Sequence, residues 1–312
     1  MQFLLMSEVV RMPDIAVIGA VNVDICGKPA QKFIPRDSNV GSVTHSIGGV
    51  GFNVARNLSL LGADISFIAA LGDDTYTAEI EAEAKRFSLD LSLCLRVSSA
   101  PNSTYLFVTD ENGDMLAAVN DMKITERLDK KFFEPLIGKL SSFDAVVVDA
   151  NLESDTLEYL CKNITVPVFA DAVSASKVMR LKSCLEYIDT FKPNAIEASM
   201  LSGVEVKDET SARSAARLLV EKFGVGRVYI TLGERGVLAF DSKQFISRPA
   251  LSNQTVNTAG AGDAFFACCV MGELLNLPLE DCVELALRGS ASVCKTRYSV
   301  NMRLYEDVFK NI

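Results

Sequence analysis

A chain of 312 residues has room for one large core or two modest ones, and 49% hydrophobic with 23% charged residues is the composition of a soluble protein. A net charge of −9 and a pI near 4.9, with no basic run interleaved with aromatics, exclude nucleic acid or an anionic membrane as the main partner. Eight cysteines without a CxxC pair suit the reduced core thiols of a cytoplasmic protein, and no run approaches eighteen apolar residues, so no membrane span is expected.

Residues 1–12 read as a leading tail, because Glu8 and Arg11 follow the short apolar run 3–6 too soon for a signal peptide. The domain is expected over 13–312. It opens with 14–19, an apolar run ending in glycine that suits a buried parallel strand. Asn22 and Asp24 follow at alternate positions, so they point the same way just past a strand end, although an Asx-rich turn has the same pattern. Residues 23–47 break into short exposed strands around Gly27, Pro29, Pro35 and Gly41. Gly48-Gly49-Val50-Gly51-Phe52-Asn53 then opens a helix running to Gly62, with Asn53 in its first turn; the spacing lacks the third glycine of a dinucleotide fingerprint. A strand over 65–71 and a helix over 75–87 come next. Segments 103–108 and 115–119 flank a glycine turn at 110–113, and we expect them to pair with the 25–47 pieces. Together, 23–47 and 98–121 would form a discontinuous β lid.

From residue 143 strands (145–149, 166–171, 187–191, 228–232) alternate with helices (154–163, 176–184, 195–202, 210–223). That alternation predicts βαβ units, hence an α/β fold with a mostly parallel sheet covered on both faces. An antiparallel piece over 236–241 and helices over 261–273 and 279–294 complete the chain.

Three constellations carry chemistry. Asn257-Thr258-Ala259-Gly260-Ala261-Gly262-Asp263 enters an apolar helix, so its backbone amides sit at a positive helix terminus with Asp263 in the first turn. Amides that neutralise an anion, beside a carboxylate that takes a proton, suit phosphoryl transfer; a plain glycine turn with a dipole-favoured acid suits the same letters. Asn194 and Glu197 could together orient a hydrated Mg²⁺, or form a helix capping box. Thr231, Gly233 and Gly236 allow a nucleotide to approach backbone, or make a strand-to-strand turn. His45 is the single histidine, which excludes most Ser-His-Asp, Cys-His and zinc chemistry, and no GxxxxGK[ST] loop is present.

Gly48-Gly49-x-Gly51-x-Asn53-x-Ala55, with Gly62 and Gly72, resembles the first signature of the pfkB-type (ribokinase-like) carbohydrate kinases, and Thr258-x-Gly260-Ala261-Gly262-Asp263 resembles the second. The likeness covers the chain from about Asp14 onward. Gly19–Pro29, Gly113–Met122, Asp171–Ala175 and the Asn257-Thr258 opening are most similar to the branch that acts on pseudouridine. The resemblance implies a doubly wound, mostly parallel sheet flanked by helices, with a small β-sheet lid. It implies transfer of phosphate from ATP to the 5′-hydroxyl of pseudouridine, or else of another sugar or nucleoside such as ribose, adenosine or uridine. A silent nucleoside-binding regulator is the third alternative. By resemblance Asp263 is the general base, and Ala259, Gly260, Ala261 and Gly262 give the anion hole. Asn22, Asp24, Gly48, Gly49 and Asn53 hold the ribose, and Ser103, Tyr105 and Asp121 face it from the lid. Lys192, Asn194, Thr231, Gly233 and Gly236 serve ATP, with Glu197 and Asn194 ordering Mg²⁺ through water. Potassium is a further cofactor that the resemblance suggests, at a place where Asn257 replaces an Asp common among relatives. A homodimer through the lid is also expected.

Overall fold

The computed structural model describes residues 11–251 and 255–310; most of the expected tail lies outside them. In chain order the elements are β1 (Asp14–Ile18), β2 (Asn22–Pro29), β3 (Gly41–Gly48), α1 (Val50–Leu60), β4 (Asp64–Ile68), β5 (Ala70–Leu71), α2 (Thr77–Arg86), β6 (Leu95–Arg96), β7 (Thr104–Thr109) and β8 (Met115–Asp121). There follow α3 (Lys130–Phe133), α4 (Ile137–Leu140), β9 (Ala145–Asp149), α5 (Ser154–Asn163), β10 (Val168–Asp171), β11 (Thr190–Lys192), α6 (Ala195–Ser202) and α7 (Glu209–Arg217). Last come β12 (Arg227–Thr231), β13 (Val237–Phe240), β14 (Phe245–Arg248), α8 (Ala261–Leu274) and α9 (Leu279–Cys294).

Eight strands form the main sheet in the order β14-β13-β12-β11-β10-β9-β1-β4, parallel from β12 to β4 and antiparallel at the β13–β14 edge. Alternation along β1 shows how the core is divided. Ile15 and Val17 enter one cluster, under α1, α8 and α9, while Ala16 and Ile18 enter the other, under α5, α6 and α7. Both faces are thus buried, and the site must form along the carboxyl edge of the parallel strands. Beyond that edge β3-β2-β7-β8 make a second sheet, in which β2 pairs with β3 and β7, joining the two sequence-separated pieces.

Local assignments shift where one periodicity serves two structures. The helix expected over 176–184 is a 3₁₀ turn at Val178–Leu181, whose buried Val178 and Leu181 keep the three-residue spacing of a helical face. The strand expected from 187 starts at Thr190, because Tyr187 and Ile188 donate back to Cys184 and Leu185 in a tight turn. Residues 65–71 split: β4 ends at Ile68, and β5 leaves the main sheet to pair with β6.

Candidate active site

Gly260 turns the chain into α8 with φ +80°, and a Cβ there would lie 2.1 Å from the Ser299 carbonyl oxygen, so only glycine fits. No side chain caps this helix. The Ala259 N–H donates to Asn257 Oδ1 (3.0 Å) and the Ala261 N–H to the Thr258 carbonyl (3.2 Å). The N–H groups of Gly260 and Gly262 have no acceptor among the described residues, which leaves them for an anion at the positive end of the helix.

Asp263 follows in the first turn. Its Oδ2 accepts a hydrogen bond from Asn53 Nδ2 at 2.7 Å. Burial pushes its carboxyl up to about 7, with the Asp171 carboxylate adding to the rise, and the Asn53 bond, Lys192 and Arg56 opposing it. A carboxyl poised there exchanges a proton near neutrality. Arg56 fixes the Asn53 amide: it donates to Asn53 Oδ1, which turns Nδ2 toward Asp263. Arg56 is itself held by Glu83 (3.0 Å), by the Ile47 carbonyl (3.2 Å) and by the faces of Phe52 and Phe87. Behind the helix terminus lies Lys192, whose Nζ is 3.0 Å from Asp171 Oδ2 and 3.7 Å from the place of a Gly262 Cβ. Burial alone would lower this ammonium; Asp171, Glu197 and Asp263 outweigh it and hold its pKa above the ordinary lysine value.

Across the cleft, Gly49 opens α1 at φ +101°, where a Cβ would meet the Ala20 carbonyl oxygen at 2.5 Å. The Asp24 carboxylate packs against Gly48, and burial raises it to about 6 against the pull of Arg56. Asn22 Oδ1 is buried with no partner among the described residues, an acceptor that a hydroxyl would satisfy. Asp149 organises these loops: its Oδ2 accepts from the N–H groups of Ala20 (3.1 Å) and Gly51 (3.0 Å) and from Asn151 Nδ2 (2.9 Å).

Strand pairing sorts the lid. Asp24 stands opposite Ser46 and Tyr105, and Tyr105 opposite Asn120, so these four share one face. Asp121 is in the next row with Val23, Ile47 and Thr104 and projects from the other face, because a one-residue step reverses a strand side chain. It lines a separate cavity of about 560 Å³ with Lys123, Glu126 and Arg127. Ser103 is buried at the start of β7, and its carbonyl accepts from the Val23 N–H (2.8 Å).

Asn194 and Glu197 do form a capping box: Asn194 Oδ1 accepts from the N–H groups of Ile196 and Glu197, and Glu197 Oε2 from that of Asn194. The Asn194 oxygen is therefore committed to the cap. Glu197 is buried, which raises its carboxyl, and its Oε1 has no hydrogen bond among the described residues. Thr231 donates its N–H to the Pro193 carbonyl (3.0 Å), which brings Gly233 and Gly236 beside this corner. Those two glycines close a 3₁₀ turn, and a Gly236 Cβ would strike the Arg248 carbonyl, so packing alone accounts for Gly236. Among the described residues no group of three or more His, Cys, Asp or Glu could hold a metal, and no helix is long and apolar enough to cross a membrane.

Residues 12–303 match the model of the pfkB family carbohydrate kinases. The chain belongs to that family. It is 30% identical to the pseudouridine kinase of Escherichia coli strain K12, over 92% of each chain, and 28% identical to the guanosine-inosine kinase of Exiguobacterium acetylicum, over 90% of this chain and 94% of that one. Its fold superposes on Arabidopsis thaliana ribokinase complexed with ribose and ATP with a TM-score of 0.81, at 20% identity and covering 96% and 98% of the two chains. Family and fold agree with the sequence reading. Reading the letters missed three residues. Asp149 looks like the end of a buried strand, Arg56 like the charged edge of a helix, and Ser299 lies in a polar stretch, 295–300, that lacks the small-residue pattern expected there. Only folding brings Ser299 Oγ to 3.3 Å from both Asn53 Oδ1 and Arg56.

Proposed function

We propose that this pfkB-family kinase transfers the γ-phosphoryl group of ATP to the 5′-hydroxyl of pseudouridine, with Asp263 as general base. The observation that carries this reading is the Asp263 carboxyl, raised to about 7 and oriented by Asn53, beside the uncapped terminus of α8 and the Lys192 ammonium. Asp263 takes the proton as the hydroxyl oxygen bonds to the γ-phosphorus and the bond to the β-phosphate oxygen breaks, releasing ADP. The Gly260 and Gly262 amides and Lys192 neutralise the charge on the transferring group, with Ala259 and Ala261 holding the loop that presents them. Asn22, Asp24 and Gly49 hold the ribose hydroxyls, Tyr105 faces them from the lid, and closing the lid excludes water. Thr231, Gly233 and Gly236 line the nucleotide corner. Mg²⁺ bound with ATP supplies charge neutralisation at the phosphates. Glu197 suits it through water, since Mg²⁺ takes few protein oxygens and this carboxylate keeps one oxygen uncommitted.

A second reading keeps the machinery and changes the acceptor. The likeness to the guanosine-inosine kinase, at 28% identity against 30% for the pseudouridine kinase, supports a purine nucleoside as the alternative acceptor. ADP release with Mg-ATP and pseudouridine, uridine, inosine, adenosine or ribose separates the two, with Asp263→Asn as control. Greater turnover on any other acceptor discards pseudouridine, and silence on all of them favours a binding-only role. Turnover in KCl against tetramethylammonium chloride tests potassium activation near Asn257, whose side-chain amide is occupied by Ala259 and Arg297. The reading includes a cytoplasmic location and a homodimer through the lid, whose exposed Val43, Leu106 and Val119 share one face. Light scattering of Leu106→Lys against the unaltered chain tests the dimer: loss of a dimeric mass supports it, and a monomer before substitution removes it.

A further inference from the structure

The cleft over the sheet edge has two walls. The N-termini of α1 and α8, with Asn53 and Asp263, form one, over the core that includes Phe52 and Phe266. The loops after β9 and β10 form the other, over the core that includes Leu152 and Val178. On this second wall the half-buried Lys177 reaches the root of the lid: its Nζ donates to Asn151 Oδ1 at 2.5 Å and to Met122 Sδ at 3.2 Å. A thioether is a weak acceptor, so one of three N–H groups is poorly satisfied and another has no partner among the described residues. Burial pulls this ammonium below the ordinary lysine range, with Asp149 opposing. The surroundings hold it in place. Asn151 is 4% exposed, and its Nδ2 and N–H both bond to Asp149, which also carries the Ala20 and Gly51 amides of the sugar loops. Arg180 clamps the Asn151 carbonyl at 2.8 Å. Val173, four residues before Lys177, adopts φ +63°, which a β-branched residue rarely takes, and the Asp171 carboxylate pins its N–H at 2.7 Å.

Resting on the nucleoside-kinase reading, we propose that Lys177 is a specificity-determining residue that donates a hydrogen bond to a carbonyl oxygen of the nucleobase. With the 5′-hydroxyl at Asp263 on the first wall, the substituent at C1′ is directed to the second wall and the lid root, where Lys177 stands. An ammonium has donors and no acceptor. It rewards an oxo-substituted base, such as a pyrimidinedione or a 6-oxopurine, and gives nothing to the 6-amino group of adenosine.

The experiment measures kcat/KM with Mg-ATP on pseudouridine, uridine, inosine and adenosine for the unaltered chain, Lys177→Met and Lys177→Arg, with thermal unfolding to confirm that the variants fold. We expect Lys177→Met to lower the preference for the best oxo-nucleoside over adenosine by about tenfold or more, and Lys177→Arg to restore much of it. A general packing defect would lower all four values together and leave that ratio unchanged, which overturns the proposal. So does an unaltered chain that phosphorylates nucleosides with no preference for an oxo base. If the unaltered chain turns over ribose and no nucleoside, the nucleoside reading fails and this proposal with it, whereas an unchanged ratio on active nucleosides sinks the proposal alone.

Discussion

Replacing Asp263 with Asn removes a carboxylate that the fold holds against its preference, and the consequence for stability can be worked out. The group moves from an ordinary 3.8 to about 7, roughly three pH units, and each unit corresponds to about 1.36 kcal/mol between the two protonation states. Above pH 7 the charged form therefore destabilises the native state by about 4 kcal/mol at most, and the remaining solvent contact of the side chain brings the measurable effect to roughly half of that. The sign follows from proton binding. A carboxyl that titrates higher when folded gives the native state extra protons between about pH 4 and 7, so its favourable contribution is complete below pH 4 and is lost as the pH rises through 7. Asparagine imitates the protonated acid and still accepts from Asn53 Nδ2. Asp263→Asn should thus lose turnover by about 10³-fold or more, while becoming about 2 kcal/mol more stable than the unaltered chain at pH 8, a margin that shrinks to about 1 kcal/mol at pH 5 and closes near pH 4. Urea unfolding at the two pH values, beside coupled ADP release, measures both. A variant with the same relative stability at pH 5 and pH 8, or less stable at pH 8, refutes the burial account of Asp263.

Asn53→Ala removes the hydrogen bond that holds the Asp263 carboxyl down, so the acidic limb of the kcat/KM profile should move to higher pH along with a fall in turnover. Lys192→Met leaves the buried Asp171 carboxylate without its cation, and chemical denaturation should show a loss of about 3–5 kcal/mol, with ATP binding weakened in calorimetry. Gly260→Ala must place a Cβ against the Ser299 carbonyl at positive φ, and we expect at least about 2 kcal/mol of destabilisation in urea together with lost activity.

The most legible parts of the chain were those where one local pattern meets one physical demand. Apolar runs ending in glycine gave parallel strands, strand–helix alternation gave the doubly wound sheet, and the two glycine signatures gave both helix termini that border the cleft. The Asn194/Glu197 spacing showed the limit of that method: the capping box that competed with a metal site is present, and it commits the Asn194 oxygen. Asp121 showed another limit, since a strand's composition does not reveal which of two adjacent residues shares the face of Asp24, whereas pairing through Tyr105 puts Asn120 there.

By itself, then, the sequence determined the family, the layered α/β body, the place of the glycine turns and the identity of the candidate base, because each depends on neighbours within a few residues. The tertiary structure alone decided which side chains meet. Asn53 and Asp263 are 210 residues apart and share a 2.7 Å hydrogen bond; Lys192 pairs with Asp171 under the helix terminus; Asp149 ties the loops at Ala20 and Gly51, which lie 129 and 98 residues before it. These contacts exist because parallel strands bring their carboxyl ends to one edge regardless of separation along the chain. The burial they share there moves Asp263 to a pKa near neutrality, and no local pattern encodes that.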